Sequence, residues 1–226
     1  MSKNKKIAVF FDCDNISPKY LKDIFNELAN IGDIIISQAY ADWGSSRLRS
    51  WKEEIPQYAI KQIQTTSNTS SKKNISDFQI VIDIMDTMTN NDIDIVTIVS
   101  SDSDFTSLAI NIKSKGFEVI GFGEVKTPES IRVAYNDFIE LPIENKKINQ
   151  DKIVSILTDA INKTKEDLNY SLVSKVGTYL KRQNSSYNPK NYGGNTWGDI
   201  LKKYPENFKF GFKDQRRSQL YVELLP

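Results

Sequence analysis

The chain has 226 residues, 39% apolar and 26% charged, which is ordinary for soluble globular domains and enough for one large domain or two small ones. It holds no histidine and a single cysteine, Cys13. That excludes an internal disulfide framework, argues against structural zinc, and removes the commonest general base and metal ligand. The net charge of +1 conceals an acidic first part, −5 over residues 1–141, and a basic remainder, +6 over 142–226. Such asymmetry points to two domains with an anionic partner for the second, although two solvated surfaces of unlike composition give the same sums.

The basic start Met1–Lys6 leads only into the short run Ile7–Phe11, too short for a signal-peptide core, and no apolar run approaches the roughly 18 residues of a membrane span. The expected setting is the cytoplasm. Ile7–Phe11 reads as a buried first strand ending in Asp12-Cys13-Asp14-Asn15. Ser17-Pro18 then opens a helix carrying Leu21, Ile24, Phe25 and Leu28 and closing at Gly32. Ile34–Tyr40 is the second strand, Arg47–Trp51 a short helix, and Ile60–Gln64 a third strand. Thr65–Asn74, with no apolar residue, is a loop. Asp77 falls in the first turn of a helix running to about Met88. Ile93–Val99 is the fourth strand, Ser103–Lys115 a helix ended by Gly116, and Phe117–Phe122 the fifth strand. Ser130–Tyr135 is a helical turn, and Phe138–Leu141 a sixth strand.

Strands alternating with helices and apolar along their length predict a parallel sheet covered on both faces. Residues 142–150 read as a linker. Beyond them three amphipathic stripes follow, at Ile153–Ile161, Leu172–Leu180 and Trp197–Leu201. Two strands come last, Phe208–Phe210 and Leu220–Leu224, joined by the basic turn Lys213–Arg217. Three helices and a hairpin suggest a small winged-helix-like domain over 151–226.

If strands 1 and 4 are neighbours, Asp12 and Asp14 open into the same crevice as Asp102 and Asp104, at the strand ends where α/β sheets place ligands. Each acid also has a plain structural role available: Ser103 or Asp104 can cap a helix, and Asp77 can partner a helix macrodipole. Clustered carboxylates raise one another's pKa, a divalent cation removes the repulsion, and an all-oxygen set suits Mg²⁺ or Mn²⁺. Such an ion supports hydrolysis of a phosphoryl centre without histidine.

Phe10–Asn15, Tyr40-Ala41-Asp42-Trp43, Asp77 and Val99–Phe105 resemble the NYN domains of the LabA-like type, a branch of the PIN-like metal-dependent ribonucleases. The resemblance covers about residues 7–141. It implies a PIN-like (Rossmannoid) α/β domain over 1–141, with Asp12, Asp77, Asp102 and Asp104 holding Mg²⁺ or Mn²⁺ and Asn15 supporting the site. Asp14 lies where the family often has another residue. Asp83 and Asp86 are candidates for a supporting shell, and Cys13 for packing.

Leu172–Arg182, Tyr187-Asn188-Pro189, Asn191-Tyr192-Gly193, Trp197 and Leu220-Tyr221-Val222 resemble an OST-HTH (LOTUS) domain, a winged-helix-like RNA-binding module. The two resemblances together imply a metal-dependent ribonuclease whose partner is RNA. Candidate RNA contacts are Trp43, Arg47, Arg49 and Lys72-Lys73 in the first part. In the second they are Lys175, Lys181, Arg182, Lys190, Lys202, Lys203, Arg216 and Arg217. The rival readings are an inactive RNA- or protein-binding adaptor and a dehalogenase-type phosphatase. The latter is prompted by Asp12-Cys13-Asp14, with Asp12 as nucleophile, but Asn15 does not continue that family's usual turn.

Overall fold

The structure is a computed structural model, which describes residues 4–65, 75–143, 150–165, 169–214, 216 and 218–225. Two compact units divide at Pro142.

The first unit is a six-stranded parallel sheet in the order β3-β2-β1-β4-β5-β6. Its strands are β1 (Lys5–Asp12), β2 (Gly32–Ala41), β3 (Lys61–Gln64), β4 (Ile95–Val99), β5 (Glu118–Glu124) and β6 (Asp137–Leu141). The longer helices are α1 (Leu21–Ala29), α3 (Ile75–Asn90) and α4 (Thr106–Ser114), with short helices α2 (Arg49–Glu54) and α5 (Glu129–Arg132). The expected doubly covered α/β sheet is therefore present. Gly32 starts β2 and does not end a helix. There it passes close to Lys5 of β1, whose carbonyl oxygen would lie 2.1 Å from any Cβ at this position.

β1 is central and apolar on both faces, so its successive side chains enter two different cores. Phe11 stacks on Phe25 of α1 and meets Trp51 of α2 edge-on. Phe10 faces the other way, into a core with Tyr40, Ile80, Ile84, Ile98, Phe105 and Leu108. Full burial of side chains of this size contributes about 1.5–3 kcal/mol each. Alternation along a fully buried strand thus locks register, and the register sets the site. Ile7 to Phe11 pair with Ile95 to Val99 residue by residue, so Asp12 and Ser100 leave the sheet side by side.

The second unit contains α6 (Gln150–Thr164), β7 (Tyr170–Leu172), α7 (Val173–Gln183), α8 (Trp197–Leu201), β8 (Phe208–Phe212) and β9 (Leu220–Leu224). β7 joins the expected hairpin to give a three-stranded antiparallel sheet, β7-β9-β8. Three residues running straight into a helix carry too little alternation to be read as a strand from sequence. The core gathers Ile153, Leu157 and Ile161 of α6 with Val176 and Leu180 of α7, Trp197 and Ile200 of α8, Phe208 and Val222. A capping box between Thr196 and Asp199 starts α8. Among the described residues no helix is long and apolar enough to cross a membrane.

Candidate metal centre

The site is built at the carboxyl ends of β1 and β4 and the amino end of α3. After Asp12 the chain turns tightly, its carbonyl accepting from the backbone N–H groups of Asn15 and Ile16. Trp51 holds that turn by donating its indole N–H to the Ile16 carbonyl at 3.1 Å. The turn brings Asn15 Nδ2 to 2.7 Å from Asp12 Oδ2, and Ser100 Oγ donates to the same oxygen at 2.7 Å. Asp12 is 1% exposed, and its other oxygen, Oδ1, is buried with no hydrogen-bond partner. Burial raises the Asp12 pKa, the hydrogen bonds from Ser100 and Asn15 oppose that rise, and the charges of Asp14 and Asp102 add to it.

Ser100 also accepts from the Asp102 backbone N–H at 3.0 Å. Asp102 in turn caps the 3-10 turn Ser103–Phe105, its Oδ1 accepting from the Asp104 N–H at 3.0 Å. The cap falls to Asp102 and not to Ser103 or Asp104. Asp77, in the first turn of α3, faces this turn. One carboxylate oxygen from each of Asp77, Asp102 and Asp104 lies within 4.8 Å of the others. Burial first, and then the charges of Asp12, Asp102, Asp104 and Asp14, push the Asp77 pKa up to about 6. The three convergent carboxylates are a donor set suited to a hard divalent cation. Asp12, expected with them, lies outside that group of three, acts on Asp77 through its charge, and keeps one buried oxygen without a hydrogen-bond partner.

The profile of the NYN domain matches residues 6–144. The chain belongs to the NYN domain family. NYN domains are PIN-like nucleases, and with that membership the phosphatase reading falls. A search of curated proteins gives no match. Among solved structures, the fold is similar to a protein of unknown function from Vibrio parahaemolyticus, with a TM-score of 0.53 and 18% identity. The match covers 62% of this chain and 95% of that one, and at this identity it speaks for the fold alone.

Within the NYN unit, Asp14 is exposed and reaches the site only through its charge. Asp83 lies outside the cluster, accepting from the Tyr40 hydroxyl and from Gln79 Nε2, both at 2.8 Å, which ties α3 to β2. Asp86 accepts from Asn90 Nδ2 at 2.6 Å along the helix surface. Cys13 is buried with its thiol pushed up by desolvation, as packing requires.

Trp43, an RNA-contact candidate, is 9% exposed, with its indole N–H donated to the Ile63 carbonyl at 2.8 Å, so it packs against the end of β3. Arg47 is exposed, its Nε bonded to Ser45 Oγ. In the second unit Lys175 and Arg182 line one cleft of α7, while Lys181 is not among its lining residues. Lys190 bonds Asn195, and Lys203 the Gly193 carbonyl. Lys202 and Arg216 are exposed. Lys72, Lys73 and Arg217 lie outside the described residues.

The contribution of Ser100 to the site went unread in the sequence. A serine that directly follows an apolar strand, in register with an acid that follows the neighbouring strand, is the signal that identifies it.

Proposed function

We propose that the protein is a metal-dependent ribonuclease of the LabA-like NYN type. The observation that carries the reading is the convergence of Asp77, Asp102 and Asp104 within 4.8 Å, next to the buried and half-unsatisfied Asp12. These residues would hold Mg²⁺ or Mn²⁺. Such an ion, when bound, supplies Lewis-acid polarisation of a phosphoryl oxygen and activation of water.

The chain's own part is positional. Ser100 and Asn15 orient Asp12 and stabilise its ionised form against desolvation. Ser100 links Asp12 to the Asp102 backbone, so the ends of β1 and β4 move as one piece. The Asp102 cap fixes the turn that presents Asp104. With no histidine in the chain, proton handling falls to carboxylates and water. The second unit, basic overall and read as OST-HTH (LOTUS)-like, captures the RNA strand.

The test is cleavage of a labelled RNA by the full chain with Mg²⁺ or Mn²⁺, compared with Asp12→Asn and Asp102→Asn proteins and with chelator. Cleavage that requires the metal and is lost in both variants supports the reading. Equal cleavage by all three proteins, or none by the native chain, overturns it.

A further inference from the structure

α3 is apolar on two sides. Its inner side sets Ile80, Ile84 and Met88 into the core. Its outer side leaves Phe78 67% and Ile82 59% exposed, with Ile75 36% exposed at the start of the helix. Met85, packed in part against the core, borders that outer side, and the exposed Thr89 ends it. A helix that is apolar all round is ordinarily covered all round. Residues 75, 78, 82, 85 and 89 are spaced alternately three and four apart, which is the a/d seam of a heptad repeat and the spacing by which one helix meets a second. Thr89, the last position of the seam, satisfies its hydroxyl on the Met85 carbonyl at 2.9 Å.

Charge narrows what fits the seam. α3 carries three aspartates, Asp77, Asp83 and Asp86, and no lysine or arginine, so it repels a polyanion. Asp77 turns to the acid cluster and Asp83 to Tyr40, while Asp86 is exposed beside the seam. The seam also matches itself. Laid antiparallel on a second α3, with a two-fold axis at the level of Ile80, Ile75 meets Met85 and Phe78 meets Ile82. Each layer then pairs an a position with a d position, and each contact occurs twice. The two Asp86 side chains are then about 18 Å apart along the axis, beyond the screening length. Each lies by the amino end of the other helix, whose dipole favours an anion. A parallel pair would set the two carboxylates side by side.

We propose that α3 docks on α3 of a second copy of this chain as an antiparallel pair, with Phe78 and Ile82 at its centre. The size of the seam sets the strength of the contact. Two heptads on a helix about 24 Å long cover less than the standard interface of about 800 Å² per partner, so the dimer is weak, with a Kd of about 10–100 µM. Metal binding plays no part in it, since Asp77 lies on a different side of α3.

The experiment is sedimentation velocity of the full chain under chelator, from about 1 to 200 µM, where the average mass should rise toward twice that of the monomer. Phe78→Ser with Ile82→Ser, both at exposed positions, weakens self-association by about tenfold or more. Ile35→Ser removes an apolar side chain of β2 that is 48% exposed and leaves self-association unchanged. Matched melting curves confirm that the variants fold. Orientation is read by cross-linking. In the antiparallel pair two copies of residue 75, or two of residue 85, are about 15 Å apart along the axis, too far for a disulfide, whereas Ile75 and Met85 face one another. A mixture of Ile75→Cys and Met85→Cys proteins therefore cross-links under mild oxidation, and neither does so alone. The native chain, whose Cys13 is buried, is the blank. A native chain that stays monomeric at the highest concentration, equal association by the double variant, or cross-linking of either cysteine variant alone overturns the proposal. So does a monomeric chain whose double variant binds oligouridylate less tightly, which makes Phe78 a stacking platform for RNA.

Discussion

Ser100 Oγ, at the end of β4, donates a 2.7 Å hydrogen bond to Asp12 Oδ2 at the end of β1 while accepting from the backbone N–H of Asp102. One hydroxyl therefore joins the buried acid to the turn that carries the convergent acids. Removing it leaves a desolvated carboxylate with Asn15 as its remaining side-chain donor on that oxygen. Ser100→Ala is expected to cost about 1–3 kcal/mol in urea unfolding of the metal-free protein. Loss of a group that orients the acid should also weaken Mn²⁺ binding by about tenfold or more, read by calorimetry. A melt and an isotherm that match the native protein would remove Ser100 from the site.

The metal-free protein should lose stability as pH rises from about 4 to 7 through the acids of the site. Asp77 ordinarily titrates at 3.8 and in the fold at about 6, and Asp12 is shifted in the same direction. Between those values the folded state binds more protons than the unfolded state, so ∂ΔG/∂pH is negative there. The favourable contribution is complete below the ordinary value and is lost as pH passes about 6. Asp77→Asn takes away the share of this dependence that Asp77 carries. Denaturant melts under chelator should show the variant gaining on the native protein as pH rises through that window. A variant that tracks the native curve at every pH contradicts the repulsion inferred at Asp77. Added Mn²⁺ should favour the native protein above pH about 6, where the cation meets ionised ligands.

The sheet was legible because its strands are buried on both faces. Ile7–Phe11 is a continuous apolar run and Ile95–Val99 an apolar one broken only by the β-branched Thr97, both fully buried, and adjacency of β1 and β4 then carries Asp12 and Asp102 to one end of the sheet. Asp77 was legible from its place in the first turn of α3, since topology alone brings that turn to the same end. What escaped was set by side-chain direction. The partner of the Ser100 hydroxyl depends on interstrand register, and Trp43 reads equally as a stacking platform or a packed ring until its indole N–H is seen on Ile63. The surface cations differ only by where α6 and α7 meet. Lys175 and Lys181 cannot be separated by composition, yet one lines a cleft and the other does not.

Trp43 provides a direct test of packing against RNA contact. Trp43→Phe keeps an aromatic body in the pocket and deletes the 2.8 Å bond to the Ile63 carbonyl. The expected cost is about 1 kcal/mol of stability, with oligouridylate affinity unchanged. A normal melting temperature with weakened RNA binding would make Trp43 a contact residue.

Gly123 sits in β5 where the strand passes the site, and its missing side chain keeps the end of β4 in place. A Cβ there would lie 2.8 Å from Phe138 Cζ, 2.8 Å from Thr127 Oγ1 and 2.9 Å from the Ser100 carbonyl oxygen. The first two contacts are side-chain atoms that can shift a little. The third is backbone, and it belongs to the residue whose hydroxyl holds Asp12. Gly123→Ala should therefore cost about 1–3 kcal/mol by overpacking, and the displaced Ser100 should weaken Mn²⁺ binding as well. Gly116→Ala is the matched control. Gly116 has φ of +87° and no atom within 4 Å of a built Cβ, so its cost is backbone strain of about 1–2 kcal/mol with no route to the acids. Comparable loss of stability in both variants, with loss of Mn²⁺ affinity confined to Gly123→Ala, is the expected result. Equal Mn²⁺ affinities in the two proteins would show that the Ser100 backbone is not what sets the geometry of the centre.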